Sequence, residues 1–150
     1  MEKSKATKAS TERRAGEFSG KDVTAVELNE KNYEKNRISS IRLDYDCFPT
    51  RTGELVSRVT YTRRYDIDAE FDSESKYYKI QESVTAGVRH LVDSRRLPQS
   101  YPPGRPPRKD RSYREIRVFS GRKLISRLVE NAGNKDVFEE LERILSRSIG

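Results

Sequence analysis

Apolar and polar residues alternate along two stretches near the middle of the chain. Over residues 37–48, Ile41, Leu43, Tyr45 and Cys47 share one parity, with Arg42, Asp44 and Asp46 between them. Over residues 54–72, Leu55, Val59, Tyr61, Tyr65, Ile67, Ala69 and Phe71 share a parity broken only by Ser57 and Arg63. A period of two over such lengths predicts half-buried strands. Pro49-Thr50-Arg51-Thr52-Gly53 between them predicts the turn of a hairpin. The outward parity of the second strand is basic at one end (Arg58, Arg64) and acidic at the other (Asp66, Asp68, Glu70, Asp72).

The period then changes. From Glu74 to Ser94, the residues Tyr77, Ile80, Val84, Val88 and Leu91 fall on one helical stripe. Asp72 or Ser73 suits its N-cap, Gly87 weakens its middle, and Arg95, Arg96 and Pro98 suit its end. Residues 22–36 predict a short strand followed by a loop, since Asn29, Asn32 and Asn36 favour turns. Ser112–Phe119 predicts a strand with Ile116 and Val118 inward. Ser120 then predicts the cap of a helix carrying Leu124, Ile125, Leu128 and Val129, which Gly133 ends. Asn134 caps a last helix striped by Val137, Phe138, Leu141, Ile144 and Leu145. Together these elements predict an α+β fold: an antiparallel sheet, made of a long hairpin plus a return strand, with helices on one face. Residues 1–21 lack any apolar period and are expected to be a disordered basic tail. Residues 22–150 then form one domain with a Pro-rich basic loop at 95–112.

At 150 residues the chain suits one domain. Charged residues (37%) outnumber hydrophobic ones (33%), so part of the chain has to lie outside the core. The net charge of +7 is unevenly placed: residues 1–15 carry +3, 16–94 carry −3, 95–117 carry +6 and 118–150 carry +1. The folded body is close to neutral and the excess sits on two segments, a footprint for a polyanion.

Residues 95–117 also hold five of the six prolines. Pro102-Pro103 and Pro106-Pro107 favour polyproline II and hold Arg105 and Arg108 extended. Arginine's planar fork donates two hydrogen bonds at once to a phosphate. Tyr101 and Tyr113 flank the basic run, where they suit stacking on unpaired bases. The expected nucleic-acid-binding residues are therefore Arg95, Arg96, Tyr101, Arg105, Arg108, Lys109, Arg111, Tyr113, Arg114 and Arg117.

Two short resemblances overlap in this loop. Gly104-Arg105-Pro106 resembles the centre of an AT-hook, in which Arg-Gly-Arg-Pro lies in the minor groove; here Pro103 takes the place of the first Arg. Pro103-Gly104-Arg105-Pro106-Pro107-Arg108 is similar to the P-x-x-P-x-R peptides bound by Src-homology-type domains, with Arg105 at a place that usually holds an apolar side chain. The first implies DNA as partner, the second a Pro-rich-peptide-binding protein.

Catalytic chemistry has little to stand on. Cys47 is the only cysteine, which excludes an intrachain disulfide and a cysteine-built zinc site. On the inward parity it reads as a small core residue. His90, the only histidine, has no partner at a recognisable spacing. Asp44 with Asp46, and the row Asp66, Asp68, Glu70 and Asp72, offer carboxylates that a Mg²⁺ can bridge. Glu74-Ser75-Lys76 resembles the E-x-K pair of metal-dependent nucleases, although the predicted helix start takes it off the strand edge that family uses.

The sequence thus favours a non-enzymatic nucleic-acid-binding accessory protein, needing no cofactor, with RNA or single strands ahead of duplex. The second expectation is an assembly or interaction protein meeting an anionic membrane surface or a Pro-rich-peptide-binding protein, self-association into a homo-oligomer being compatible. Its layout of basic tail, compact body and Pro-rich segment is similar to small viral matrix or accessory proteins. A Mg²⁺-dependent nuclease comes third. No apolar run approaches a membrane span and the N-terminus lacks a signal peptide's hydrophobic centre, so an intracellular setting, cytoplasmic or nuclear, is expected.

Overall fold

The computed structural model describes residues 20–64, 67, 73–79, 82–94, 97 and 105–148. After a short 3₁₀ turn at Gly20–Asp22 come β1 (Ala25–Asn32), β2 (Arg37–Pro49), β3 (Leu55–Arg64), β4 (Ser73–Lys79) and α1 (Glu82–Asp93). The strands β5 (Tyr113–Ser120) and β6 (Lys123–Val129) and the helix α2 (Lys135–Ser146) complete the chain. All strands join one six-stranded sheet in the order β4-β3-β2-β1-β5-β6, every neighbouring pair antiparallel.

One parity of each strand builds the core. Val26 of β1 stands opposite Leu43 and Val118, and Leu43 stands opposite Val59. These four are fully buried and form an apolar row across the sheet. Leu28, Tyr45 and Ile116 extend it, and Val84, Val88, Leu91 and Val92 of α1 join the same cluster as Val137, Phe138, Leu141, Ile144 and Leu145 of α2. Each buried aliphatic or aromatic side chain of this kind stabilises the fold by about 1.5–3 kcal/mol relative to exposure. Because β4 and β5 run the same way on opposite sides of β1, the segment joining them, which includes α1, has to cross the sheet. Gly87, in the middle of α1, lies against α2: a Cβ placed there would be 3.3 Å from Ile144 Cγ2. The glycine is a packing residue.

The β2–β3 hairpin, the β5 strand and α2 agree with the sequence pattern, and several expectations are corrected. Residues 22–36 hold more than a short strand: β1 is eight residues long and central, and β5 returns to β1 and not to the hairpin. The strand expected over 54–72 stops at Arg64, and Ile67 sits in a turn where its N–H donates to Asn36 Oδ1 (3.1 Å). Of the acidic row, Asp66, Asp68, Glu70 and Asp72 lie outside the described residues.

The helix expected from Glu74 begins only at Glu82, because Ser73–Lys79 pairs with β3 from Arg64↔Ser73 to Arg58↔Lys79. Tyr77, expected on the helical stripe, is 64% exposed on this edge strand. The helix expected after Ser120 is also a strand. Gly121 (φ 61) and Arg122 form a two-residue hairpin turn that pairs Ser120 with Lys123. A positive φ at the first central position matches the twist of a hairpin. Asn134 precedes α2 but makes no side-chain cap bond; its Nδ2 donates to Val129 O (3.0 Å) and its Oδ1 accepts from Asn131 N (2.8 Å), tying β6 to the helix.

Cys47 is exposed, contrary to its inward parity. The β2–β3 register shifts between Asp44 and Phe48, and Asp46 takes φ 44. Four steps along β2 here match two along β3, so the two extra residues leave Cys47 in an irregular, unpaired stretch while the parity on either side is kept. No helix among the described residues is long and apolar enough to cross a membrane.

Candidate nucleic-acid interface

The described part of the basic loop is fastened to the end of the sheet. The Lys109 carbonyl accepts hydrogen bonds from Lys31 Nζ (2.9 Å) and from the Tyr33 hydroxyl (2.8 Å). The Tyr33 N–H donates to Ser112 Oγ (2.9 Å). Tyr33 opens the tight turn between β1 and β2, where Asn36 adopts φ 48, a conformation asparagine tolerates better than most residues. Three side-chain contacts thus hold the chain at Lys109–Ser112, while Arg105, Arg108, Lys109 and Arg111 remain exposed. Arg108 pairs with Asp110 (3.1 Å), and both side chains are mostly in solvent. Such a pair contributes little to stability and exchanges readily for another anion.

The other expected residues separate. Tyr113, half-buried, begins β5 opposite Lys31. Arg114 has the core parity: its Nε donates to Glu130 Oε1 (3.1 Å), its Nη2 to Glu130 Oε2 and its Nη1 to Glu142 Oε1 (2.9 Å). Its guanidinium lies 5.5 Å from the centre of the Phe138 ring, and the side chain is only 16% exposed. The hydrogen bonds to Glu130, with the charges of Glu130 and Glu142, raise its pKa further against the opposing effect of burial. Arg114 is a structural clamp between β5, Glu130 just past β6, and α2. Arg117 has the opposite parity and donates to Glu115, a fully buried carboxylate whose other oxygen is 3.5 Å from Arg127 Nε. Arg95, Arg96 and Tyr101 lie outside the described residues.

The non-core parity of the sheet is a charged face. In register across it stand Tyr77, Thr60, Arg42, Glu27, Arg117 and Arg127. Arg42 pairs with Glu27 (3.2 Å) and Asp44 (3.0 Å) and lies 4.6 Å from the centre of the Phe119 ring. Arg58 lies 5.0 Å from the centre of the Tyr77 ring. Arg64, near the loop end of the same face, donates to the Ile67 carbonyl (3.2 Å). Guanidinium groups stacked on aromatic rings present flat cationic surfaces, which suit both phosphates and bases. The outward placing of Arg42 and Arg58 follows from the alternation alone. The anchoring by Lys31 and Tyr33 had no signal in the sequence, because nothing local links them to Lys109.

Other chemistry finds less support in the geometry. Burial of part of the side chain, and then the nearby Asp44 carboxylate, push the Cys47 thiol up, the opposite of what activates a cysteine nucleophile. His90 is exposed near the end of α1. Glu74 and Lys76 do lie on a strand, β4, at the sheet edge. Among the described residues, no group of three or more His, Cys, Asp or Glu side chains is placed to hold a metal ion. A cleft of about 330 Å³ between the sheet and the end of α2 carries Glu30, Glu142 and Arg37, a mixture of signs selective for neither. In comparisons with protein-family models, curated proteins and solved structures, the chain matches none.

Proposed function

We propose that the protein is a non-enzymatic nucleic-acid-binding accessory protein that grips phosphates with its basic loop and favours RNA or single strands over duplex. The observation that carries this reading is the fastening of Lys109–Ser112 to Lys31 and Tyr33, with Arg105, Arg108, Lys109 and Arg111 directed to solvent. A loop held by its backbone offers its cations at lower entropic cost than a free tail does. We also propose that both helices cover the apolar face of the sheet and leave the charged face to the ligand. Arg89 of α1 lies over Tyr45 (4.2 Å to the ring centre) and Phe138 of α2 lies beneath Arg114. Tyr45 and Arg114 share the core parity of their strands.

Fluorescence anisotropy of labelled single- and double-stranded RNA and DNA across a salt series tests this. The comparison is wild type against the variant R105Q/R108Q/K109Q/R111Q. Each phosphate contact to a single strand contributes about 0.7 to the slope of log K against log salt, so loss of four contacts lowers that slope by up to about 3. Equal affinity and slope in the two proteins would remove the loop from the interface. Absence of binding at low salt would refute the reading and direct the loop to anionic liposomes or an acidic protein.

A further inference from the structure

We infer that the cleft between Phe48 and Tyr77 receives an unpaired base of a single-stranded nucleic acid whose phosphates reach the basic loop; this rests on the function proposed above. Phe48 (51% exposed) and Tyr77 (64%) gather at one corner of the charged face. Phe48 pairs with Val56 and Tyr77 with Thr60, so β2, β3 and β4 bring the two rings together. In a chain this rich in charge, an aromatic corner left in water marks a contact surface.

The cleft there has a volume of about 220 Å³, with Phe48, Val56, Arg58 and Tyr77 among its walls. Pockets for drug-sized ligands begin at about 300 Å³. The cleft therefore suits one ring system. Its chemistry suits a base: aromatic walls for the π-face and a cation beside them. Arg58 differs from the other arginines of this face. Arg42 and Arg117 are paired with carboxylates. Among the described residues the Arg58 Nε is buried without a hydrogen-bond partner, and the guanidinium lies against the Tyr77 ring. In the proposed complex the outer guanidinium nitrogens of Arg58 donate to a base carbonyl or to the adjoining phosphate.

The cleft and the loop lie at opposite ends of the charged face, with Arg64, Thr62, Thr60 and Arg42 between them. From the strand rise and spacing, the separation is about 25–30 Å. That is within reach of the roughly 4–16 nucleotides that single-strand sites on small β-domains engage. A duplex keeps its bases paired and stacked, so it can meet the loop but cannot fill the cleft. The cleft is what would make the protein prefer single strands.

The test measures binding of one labelled 16-nucleotide RNA, its duplex, and an abasic oligomer of equal length, by anisotropy. The proteins are wild type, Y77A, Y77F, F48A and the four-fold loop variant. Y77A and F48A are expected to weaken single-strand binding on the order of 10- to 100-fold, while leaving the salt slope, the duplex affinity and the abasic affinity unchanged. Y77F should bind as wild type does, since the ring and not the hydroxyl makes the contact. Tyr77 and Phe48 are exposed, so circular dichroism should show all variants folded. Wild-type affinity in Y77A, with the loop variant still defective, would overturn the base cleft and leave the loop grip standing. No binding of any oligomer by wild type would overturn both. Loss of self-association in Y77A by sedimentation equilibrium, with nucleic-acid affinity intact, would assign the cleft to a second copy of the chain instead.

Discussion

Gly87→Ala is expected to change sign with the residue it faces. In the interior of a helix such as α1, alanine is favoured over glycine by about 0.5–1 kcal/mol, because glycine loses more backbone freedom on folding. Here the added Cβ would meet Ile144 Cγ2 at 3.3 Å and Cδ1 at 3.4 Å. Carbon atoms prefer about 3.5–4.0 Å, so one side chain has to give by a few tenths of an ångström. Ile144 is buried among both helices and has little room to do so. Overpacking of this kind costs about 1–3 kcal/mol, and the small overlap points to the lower half of that range. The net expectation is a loss of up to about 1 kcal/mol in the wild-type background. With Ile144→Ala the obstacle is gone, and Gly87→Ala should stabilise by about 1 kcal/mol. Urea unfolding followed by circular dichroism on the four proteins of the cycle measures the coupling, expected at about 1–2 kcal/mol. A Gly87→Ala effect of the same sign and size in both backgrounds would refute the packing role of this glycine.

Two further substitutions probe buried polar groups. The Tyr45 hydroxyl is buried with no hydrogen-bond partner among the described residues, so Tyr45→Phe should leave stability unchanged or raise it by up to about 1 kcal/mol. Burial raises the Tyr45 pKa well above its ordinary value, so above about pH 10 the unfolded chain loses this proton first. Stability is therefore full below about pH 10 and falls as pH rises beyond it, and Tyr45→Phe should flatten that decline in thermal melts taken from pH 9 to 11. Arg114→Ala leaves Glu130 half-buried without its fork and should cost about 3 kcal/mol in urea unfolding. Nucleic-acid affinity, measured where that variant is folded, should stay as in wild type; a lower salt slope would show that Arg114 does meet phosphate.

The sequence by itself determined the parts that are local. The stripe of Val137, Phe138, Leu141, Ile144 and Leu145 is complete within one helix and needs no partner to be recognised. The inward parity of Leu43 and Val59, and the concentration of cations around Arg105–Arg111, are equally local. Leu124, Ile125, Leu128 and Val129 fit a helical period and a strand alike, as short apolar runs do. Only pairing with β5 across the Gly121-Arg122 turn made them β6. Ser73–Lys79 became a strand because the edge of β3 offered it a ladder, and Cys47 is exposed in the stretch where the β2–β3 register slips. The candidate interface divides in the same way. Its charge was local, but its anchoring joins Lys31 and Tyr33 to Lys109, 78 and 76 residues away, and its charged face takes residues from all six strands. Period, charge and turn chemistry act over a few residues and are written into the chain. Which edge a strand joins, which carboxylate an arginine meets and which cation is left for a ligand depend on contacts between distant segments, and those exist only once the sheet has closed.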